Sequence, residues 1–362
     1  MQERSVTELF FALIRCGIDK GDKLPYTPTD EAWNELFEIA KKQTMIGIAF
    51  AGIERIPQEQ RPPRSIILKW FTHCEVIKKK NTELNKRCAI ISEKFRSEGF
   101  RNCILKGQGL ATLYPNPQLR MSGDIDIWLE GGSEKILAYV RKFTPDVKPV
   151  YHHVDFPIAK DAEIEIHFTP TWMYSPINNK RLQKYINANA DAQFENFTKT
   201  TEGSFSAPTA AFNRIYILLH IYRHLFQEGI GLRQILDYYF VLSQGITEEE
   251  RTETLKTLKH LGLQRFAAAT MYVLQTIFHL DEKHLLLPAN SKDGQFLLNE
   301  IMAAGNFGHH DSRYNIVDKE HEAAHFLNSM RRILRLTTRY TSETLWSPYF
   351  KIWHYFWRKK RE

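Results

Sequence analysis

Apolar residues recur every three or four positions through the first hundred residues, and that spacing predicts helices. After Thr29-Asp30, the run Glu31-Ala-Trp-Asn-Glu-Leu-Phe-Glu-Ile-Ala begins as a helix should, with a capping hydroxyl and acids in its first turn. Pro62-Pro63 opens a longer helical run that continues to Glu98, where Gly99 stops it. From Phe100 to about residue 206 the pattern changes. Short apolar or alternating runs predict strands at Ile104–Lys106, Asp124–Leu129, Val147–Ile158 and Glu163–Phe168, with a helix around Ser133–Phe143. Helical spacing returns from Pro208 to the end, punctuated by Gly229, Gly231, Gly245, Pro288 and Gly305. The pattern therefore predicts a mixed α+β protein, a small mixed sheet embraced by helical regions, divided at 1–98, 99–206 and 207–362.

Composition narrows the class without naming an activity. With 362 residues, 43% of them hydrophobic and 25% charged, the chain has room for a substantial core. Its net charge of +7 is compatible with nucleotides, RNA or an anionic surface and selects none of them. Part of that charge is local, in Lys78-Lys79-Lys80 and in Arg358-Lys-Lys-Arg361, runs that are ordinarily solvated faces. Cys16, Cys74, Cys88 and Cys103 form no CxxC pair and read as free thiols of a cytosolic protein. The start Met-Gln-Glu-Arg-Ser-Val lacks the features of a signal peptide, and Ile215–Phe226 is broken by His220, Arg223 and His224 well short of the roughly 18–20 residues of a spanning helix. A cytoplasmic protein is expected. The aromatic and basic end, Trp346 to Arg361, predicts a terminal helix docked on the protein, with a peripheral bilayer contact as the alternative.

The chemistry concentrates in the middle of the chain. In Arg120-Met-Ser-Gly-Asp-Ile-Asp-Ile-Trp-Leu129, Asp124 and Asp126 stand at i and i+2, so on a strand both carboxylates share a face while Ile125 and Ile127 pack behind. Glu163, Glu165 and His167 repeat that alternation. If the two strands are neighbours, three or more acids converge, and hard oxygen ligands of that kind suit Mg²⁺ held jointly with phosphates. Upstream, Lys106-Gly107-Gln108-Gly109 lies between a short apolar strand and a helical turn, where glycines allow close approach to an anion.

These residues resemble the DNA polymerase β-like nucleotidyltransferase superfamily, and within it the bacterial group described as uncharacterised nucleotidyltransferases. The similar blocks are Leu105-Lys106-Gly107 through Tyr114-Pro115, Arg120 to Leu129, Glu163 to His167, and then His220-Ile-Tyr-Arg-His224, Gly231-Leu-Arg233 and Asp237. Together they span roughly residues 30 to 310. The sequence departs from the pattern at the phosphate turn, where the superfamily has Gly-Ser and this chain has Gly107-Gln108, with Lys106 as the compensating group. The resemblance implies transfer of a nucleoside monophosphate from a nucleoside triphosphate to a hydroxyl acceptor, assisted by Mg²⁺ or Mn²⁺. The acceptor is open among a sugar, a small alcohol, a tRNA end and a protein hydroxyl. Asp124, Asp126 and Glu165 are then the metal ligands and catalytic acids, with Lys106, Gly107, Gln108, Arg120 and Ser122 toward the phosphates.

Several residues carry two readings. His167 either orients Glu165 or touches substrate, and Glu163 is the second choice for the third ligand. His220 and His224 share a helix face, which permits zinc, but without a third ligand a cleft-lining role is preferred. Arg233 and Asp237, one turn apart, are expected to pair with each other, with phosphate binding by Arg233 as the alternative. His309-His310-Asp311 reads as a loop without chemistry. Besides an active transferase, two other functions fit: a binding protein on a nucleotidyltransferase scaffold, and a membrane-peripheral component of polysaccharide assembly.

Overall fold

Four helices open the chain, α1 (Val6–Gly17), α2 (Asp30–Lys42), α3 (Ile46–Arg55) and α4 (Arg64–Ser97), in a computed structural model that describes residues 5–159, 162–314 and 322–359. The Thr29 hydroxyl accepts the Ala32 N–H at 3.3 Å to cap α2, and acids at its start with lysines at its end complement the helix dipole. Helix α4 has 34 residues and is therefore about 51 Å long. It ends before Gly99, whose φ of +80° disfavours any side chain. Its buried stripe serves two cores. Trp70, Cys74 and Ile77 join a large helical core, whereas Leu84, Cys88, Ile91 and Phe95 pack under a sheet.

The central segment contributes β1 (Asn102–Leu105), α5 (Gly107–Ala111), β2 (Ile125–Leu129), α6 (Gly132–Val140), β3 (His153–Asp155) and β4 (Ile164–His167). The strands form a mixed sheet in the order β1-β2-β4-β3, with β2 and β4 parallel and the outer pairs antiparallel. Alternation sorts its faces. Ile104, Ile125, Ile127, Ile164, Ile166 and Val154 belong to the core shared with α4, which leaves Asp126, Glu165 and His167 on the other face. The strand expected over Val147–Ile158 is shorter than its apolar pattern, because Pro149 and Pro157 flank β3 and neither can donate to a ladder. Helices α7 (Pro176–Ala188) and α8 (Ala190–Phe194) then lead to a hairpin, β5 (Phe197–Thr200) with β6 (Gly203–Ser206), that the sequence pattern did not suggest.

The remaining helices are α9 (Ala210–Gln227), α10 (Leu232–Ser243), α11 (Glu248–His260), α12 (Gln264–Phe278), α13 (Ser291–Ala304), α14 (Glu322–Leu336) and α15 (Thr341–Lys359). From Phe212 to Phe226 nearly every residue of α9 is buried, and the helix crosses the interior opposite the acidic face of the sheet. Helices from both ends of the chain share the large core, with α1 packed on α3 and α12. All four cysteines are buried free thiols. The loop at His309-His310-Asp311 does carry structure, because buried Asp311 pairs with Arg313 at 2.7 Å, and Arg313 and Arg335 both reach Glu300. Among the described residues no helix is long and apolar enough to cross a membrane.

Helix α15 docks beside the sheet rather than standing free. Phe350 stacks on Trp172 at 4.1 Å between ring centres, and His354 Nε2 accepts the Tyr151 N–H at 3.1 Å. Its outer face exposes Ile352 and Phe356, and the last basic residues, Lys360 and Arg361, lie outside the described residues. Buried Glu343 accepts the N–H groups of Tyr174 and Ser175 at 2.6 and 3.1 Å. Burial pushes its carboxyl up to about 7, against an unfolded value of about 4.3. Between those values the folded state holds the extra proton. The contribution to stability is thus complete in acid and declines as pH rises through about 7. Melting curves of the wild type and Glu343→Gln should therefore diverge toward neutral pH, the wild type losing more stability; superimposable pH profiles would refute the assignment.

Candidate active site

Lys106 connects β1 to α5 with φ of +47°, a conformation that costs a non-glycine residue on the order of 1–3 kcal/mol. Gly107 follows at φ +37°. This turn aims the lysine across the sheet, where its Nζ lies 2.9 Å from Asp126 Oδ1. The same oxygen accepts a hydrogen bond from His167 Nε2 at 2.8 Å, and His167 Nε2 lies 3.4 Å from Glu165 Oε2. Register explains the convergence. In the parallel β2–β4 pair Asp126 stands opposite Glu165 and Trp128 opposite His167, so Asp126, Glu165 and His167 place one ligand atom each within 4.8 Å of one another.

The electrostatics follow from burial and neighbours. Burial alone would raise the Asp126 carboxyl, but Lys106 and His167 outweigh it and hold the group well below the usual carboxylate range. Asp124 sits one pleat closer to the mouth and moves the other way, raised first by repulsion from Asp126 and then by burial. Burial works against a charged His167, yet its bonds to Asp126 and Glu165 raise it. Glu165 is lowered despite burial, through His167.

A cavity of about 590 Å³ opens over this face. Lys106, Gly107, Asp124, Asp126, Glu165, Arg120, His220, His224 and Arg233 all line it, so the structure gathers most of the sequence candidates in one place. Others turn away. The Gln108 side chain is buried against α4, donating to Asn85 Oδ1 at 2.6 Å and to the Asn81 carbonyl. Ser122 accepts from Arg120 Nη1 at 2.9 Å and does not line the cavity, and Glu163 is exposed at the end of β4. Arg120 is engaged by Asp237 in a buried two-pronged pair at 2.7 and 2.8 Å, and Tyr114 donates its hydroxyl to the same carboxylate. The expected Arg233–Asp237 pair is consequently not formed; Arg233 donates to the Met121 carbonyl at 2.6 Å and reaches Asn306. The rings of His220 and His224 lie 4.4 Å apart, and neither belongs to a three-ligand cluster among the described residues.

Among the cavity residues that the sequence analysis did not assign to the site are His152, His153, Arg223 and Lys351. Arg223 sits between His220 and His224 on an otherwise apolar buried helix, and a cation in such surroundings is the signal that would have found it. It donates to His152 Nε2 and to His224 Nε2, no carboxylate lies within 4.0 Å of it among the described residues, and its Nε has no partner there. Burial lowers Arg223, and burial with nearby Arg332 lowers Lys351 to about 8. His153 lies 3.5 Å from Glu165 and is pushed down by burial to about 4. The cavity thus sets the acids of the sheet across from Arg223 of α9 and Lys351 of α15, with Lys106 on the sheet side and Glu228 beside His224 at the end of α9.

The chain belongs to a family of uncharacterised nucleotidyltransferases, whose model matches residues 29–279. Among solved structures it is similar to an antigenic nucleotidyltransferase-like protein from Paracoccidioides brasiliensis, at 12% identity and a TM-score of 0.31, over 56% of this chain and 97% of that one. No curated protein matches. Family membership supports nucleotidyl transfer as the general reaction class.

Proposed function

We propose that this chain transfers a nucleoside monophosphate from a nucleoside triphosphate to a hydroxyl acceptor, using Mg²⁺ or Mn²⁺ held by Asp124, Asp126 and Glu165. The observation that carries the proposal is the parallel register that sets Asp126 beside Glu165, with Asp124 on the same cavity wall and cations facing them. Asp126, Glu165 and His167 bring one ligand atom each within 4.8 Å of one another, and Asp124, outside that cluster, would complete the set from the same cavity wall; the carboxylate oxygens suit Mg²⁺, and the imidazole is tolerated better by Mn²⁺. The bound ion would supply charge neutralisation at the phosphates and activation of the acceptor hydroxyl. His167 fixes the rotamers of Asp126 and Glu165 by bonding both. Lys106, on a flexible stem, sits where it neutralises either Asp126 or a phosphate oxygen in the same cavity. Arg223 and Arg233 bind and orient the triphosphate, and Arg120 positions the turn before β2 from its pair with Asp237.

The direct test incubates the protein with each α-labelled nucleoside triphosphate and Mg²⁺ or Mn²⁺, reading pyrophosphate release and label transfer. Activity lost with chelator and in Asp124→Ala/Asp126→Ala supports the reading; no metal-dependent binding of any triphosphate overturns it. A second expectation concerns Arg223. Because its buried charge has no carboxylate partner among the described residues, Arg223→Met should leave the melting temperature unchanged or higher. Charged hydrogen bonds of about 1.5–3 kcal/mol would be lost to the nucleotide, so affinity should fall roughly 10- to 100-fold by calorimetric titration.

A further inference from the structure

Next to the catalytic cavity lies a second one of about 310 Å³, where α15 passes over the segment at 173–179. Its chemistry is different. The walls include Tyr151, Met173, Trp346, Tyr349, Phe350 and Trp353. Asn179, the one amide side chain among the described lining residues, is already occupied: its Nδ2 donates to the Tyr151 hydroxyl at 2.9 Å and its Oδ1 accepts the Met173 N–H at 3.1 Å. Tyr151, Tyr174 and Phe350 line both cavities, so the two spaces adjoin across a single aromatic partition. Large side chains here are left open to solvent, Trp346 at 41%, Tyr349 at 68% and Trp353 at 47%. Contiguous apolar exposure of that kind marks a binding surface, and the groove's volume is at the small end for ligand sites.

We infer that this groove holds the apolar part of the acceptor, whose hydroxyl then reaches the catalytic cavity. The inference rests on the transferase reading and gives the acceptor a chemical class: an amphipathic hydroxyl compound bearing an alkyl chain. Three features favour it. The groove is concave and walled by rings that prefer flat or apolar partners. It borders the cavity that carries the carboxylates through Tyr151, Tyr174 and Phe350, so a molecule seated in it lies beside that cavity and needs only to pass these rings to reach it. The catalytic cavity itself is rich in charge and suits a triphosphate, which leaves the apolar space for the other substrate. A membrane would meet Ile352, Tyr355 and Phe356, exposed residues of α15 that do not line the groove.

Titration of the full chain with n-alkyl glucosides from hexyl to decyl, below their micelle concentrations, tests this through tryptophan fluorescence from the groove. Affinity should rise about fourfold per added methylene until the groove is filled, and Trp346→Ala/Tyr349→Ala, altering two partly exposed positions, should weaken it at least tenfold. A steady alkyl series supports the chain assignment, and phenyl glucoside binding more tightly than hexyl would overturn it in favour of a ring. Affinity indifferent to chain length, unchanged in the double variant, or seen only with micelles or vesicles would overturn the inference. In the presence of nucleoside triphosphate and Mg²⁺, the tight-binding glucoside should accelerate pyrophosphate release where methyl glucoside does not; equal rates would overturn the acceptor assignment. Failure of the transferase reading is separable, because it would appear as absent metal-dependent nucleotide binding while glucosides still bind.

Discussion

Asp126→Asn is expected to abolish metal-dependent transfer, lowering turnover on the order of 10³-fold or more. The size follows from what the carboxylate does. Lost stabilisation of transition-state charge worth several kcal/mol corresponds to at least that factor. Asp126 is also the buried counter-charge of Lys106 at 2.9 Å and of His167 at 2.8 Å, so the substitution acts on the protein itself. A stability loss of about 1–3 kcal/mol should accompany it, moderated because Lys106 can turn toward the cavity. Pyrophosphate release and thermal melts on the same preparation separate the two effects. Turnover within tenfold of wild type would remove Asp126 from the catalytic set.

Breaking the Arg120–Asp237 pair should give the largest loss of stability from a single side chain near the site. Both partners are almost fully buried, the guanidinium makes two bonds to the carboxylate, and Tyr114 depends on the same acceptor. Asp237→Ala leaves a buried guanidinium without its counter-charge and a buried hydroxyl without its acceptor, which costs about 3–5 kcal/mol. The consequence should reach the site, because Arg120 lies in the turn that leads into β2, and that turn is further held by Asn81, which donates to the Arg120 carbonyl at 2.8 Å. Denaturant unfolding measures the loss. Replacing both partners together, as Arg120→Met/Asp237→Leu, should be milder than Asp237→Ala; a double variant worse than the single would show that the pair is not the source of the effect.

Much of the site was readable along the chain for a simple reason. A strand alternates its side chains with period two, so Asp124, Asp126, Glu165 and His167 announce their shared faces in sequence order, and a lysine and glycine between a strand and a helical turn announce the corner. Gln108 was different. Its place in the phosphate turn put it among the phosphate contacts although it departs from the family's serine, but its side chain points into α4 and bonds Asn81 and Asn85. The spacing of Arg233 and Asp237 suggested a local pair, and a buried arginine more than a hundred residues away took the carboxylate instead. Local spacing states which groups can meet and says nothing about stronger partners arriving from elsewhere.

The helical spacing at both ends and the alternating acidic strands between them were determined by the sequence alone, because each depends on residues within a few positions of one another. Only the tertiary structure decided that β2 lies parallel to β4 with Asp126 opposite Glu165, that Lys106 is spent on Asp126 rather than left free, and that Arg223 and Lys351 face the acids from α9 and α15. It alone placed α15 over Tyr151 and Trp172 and so created the aromatic groove. Strand order, register and docking are settled by burial and by the satisfaction of buried polar groups across the whole chain, and no window of neighbouring residues contains that information.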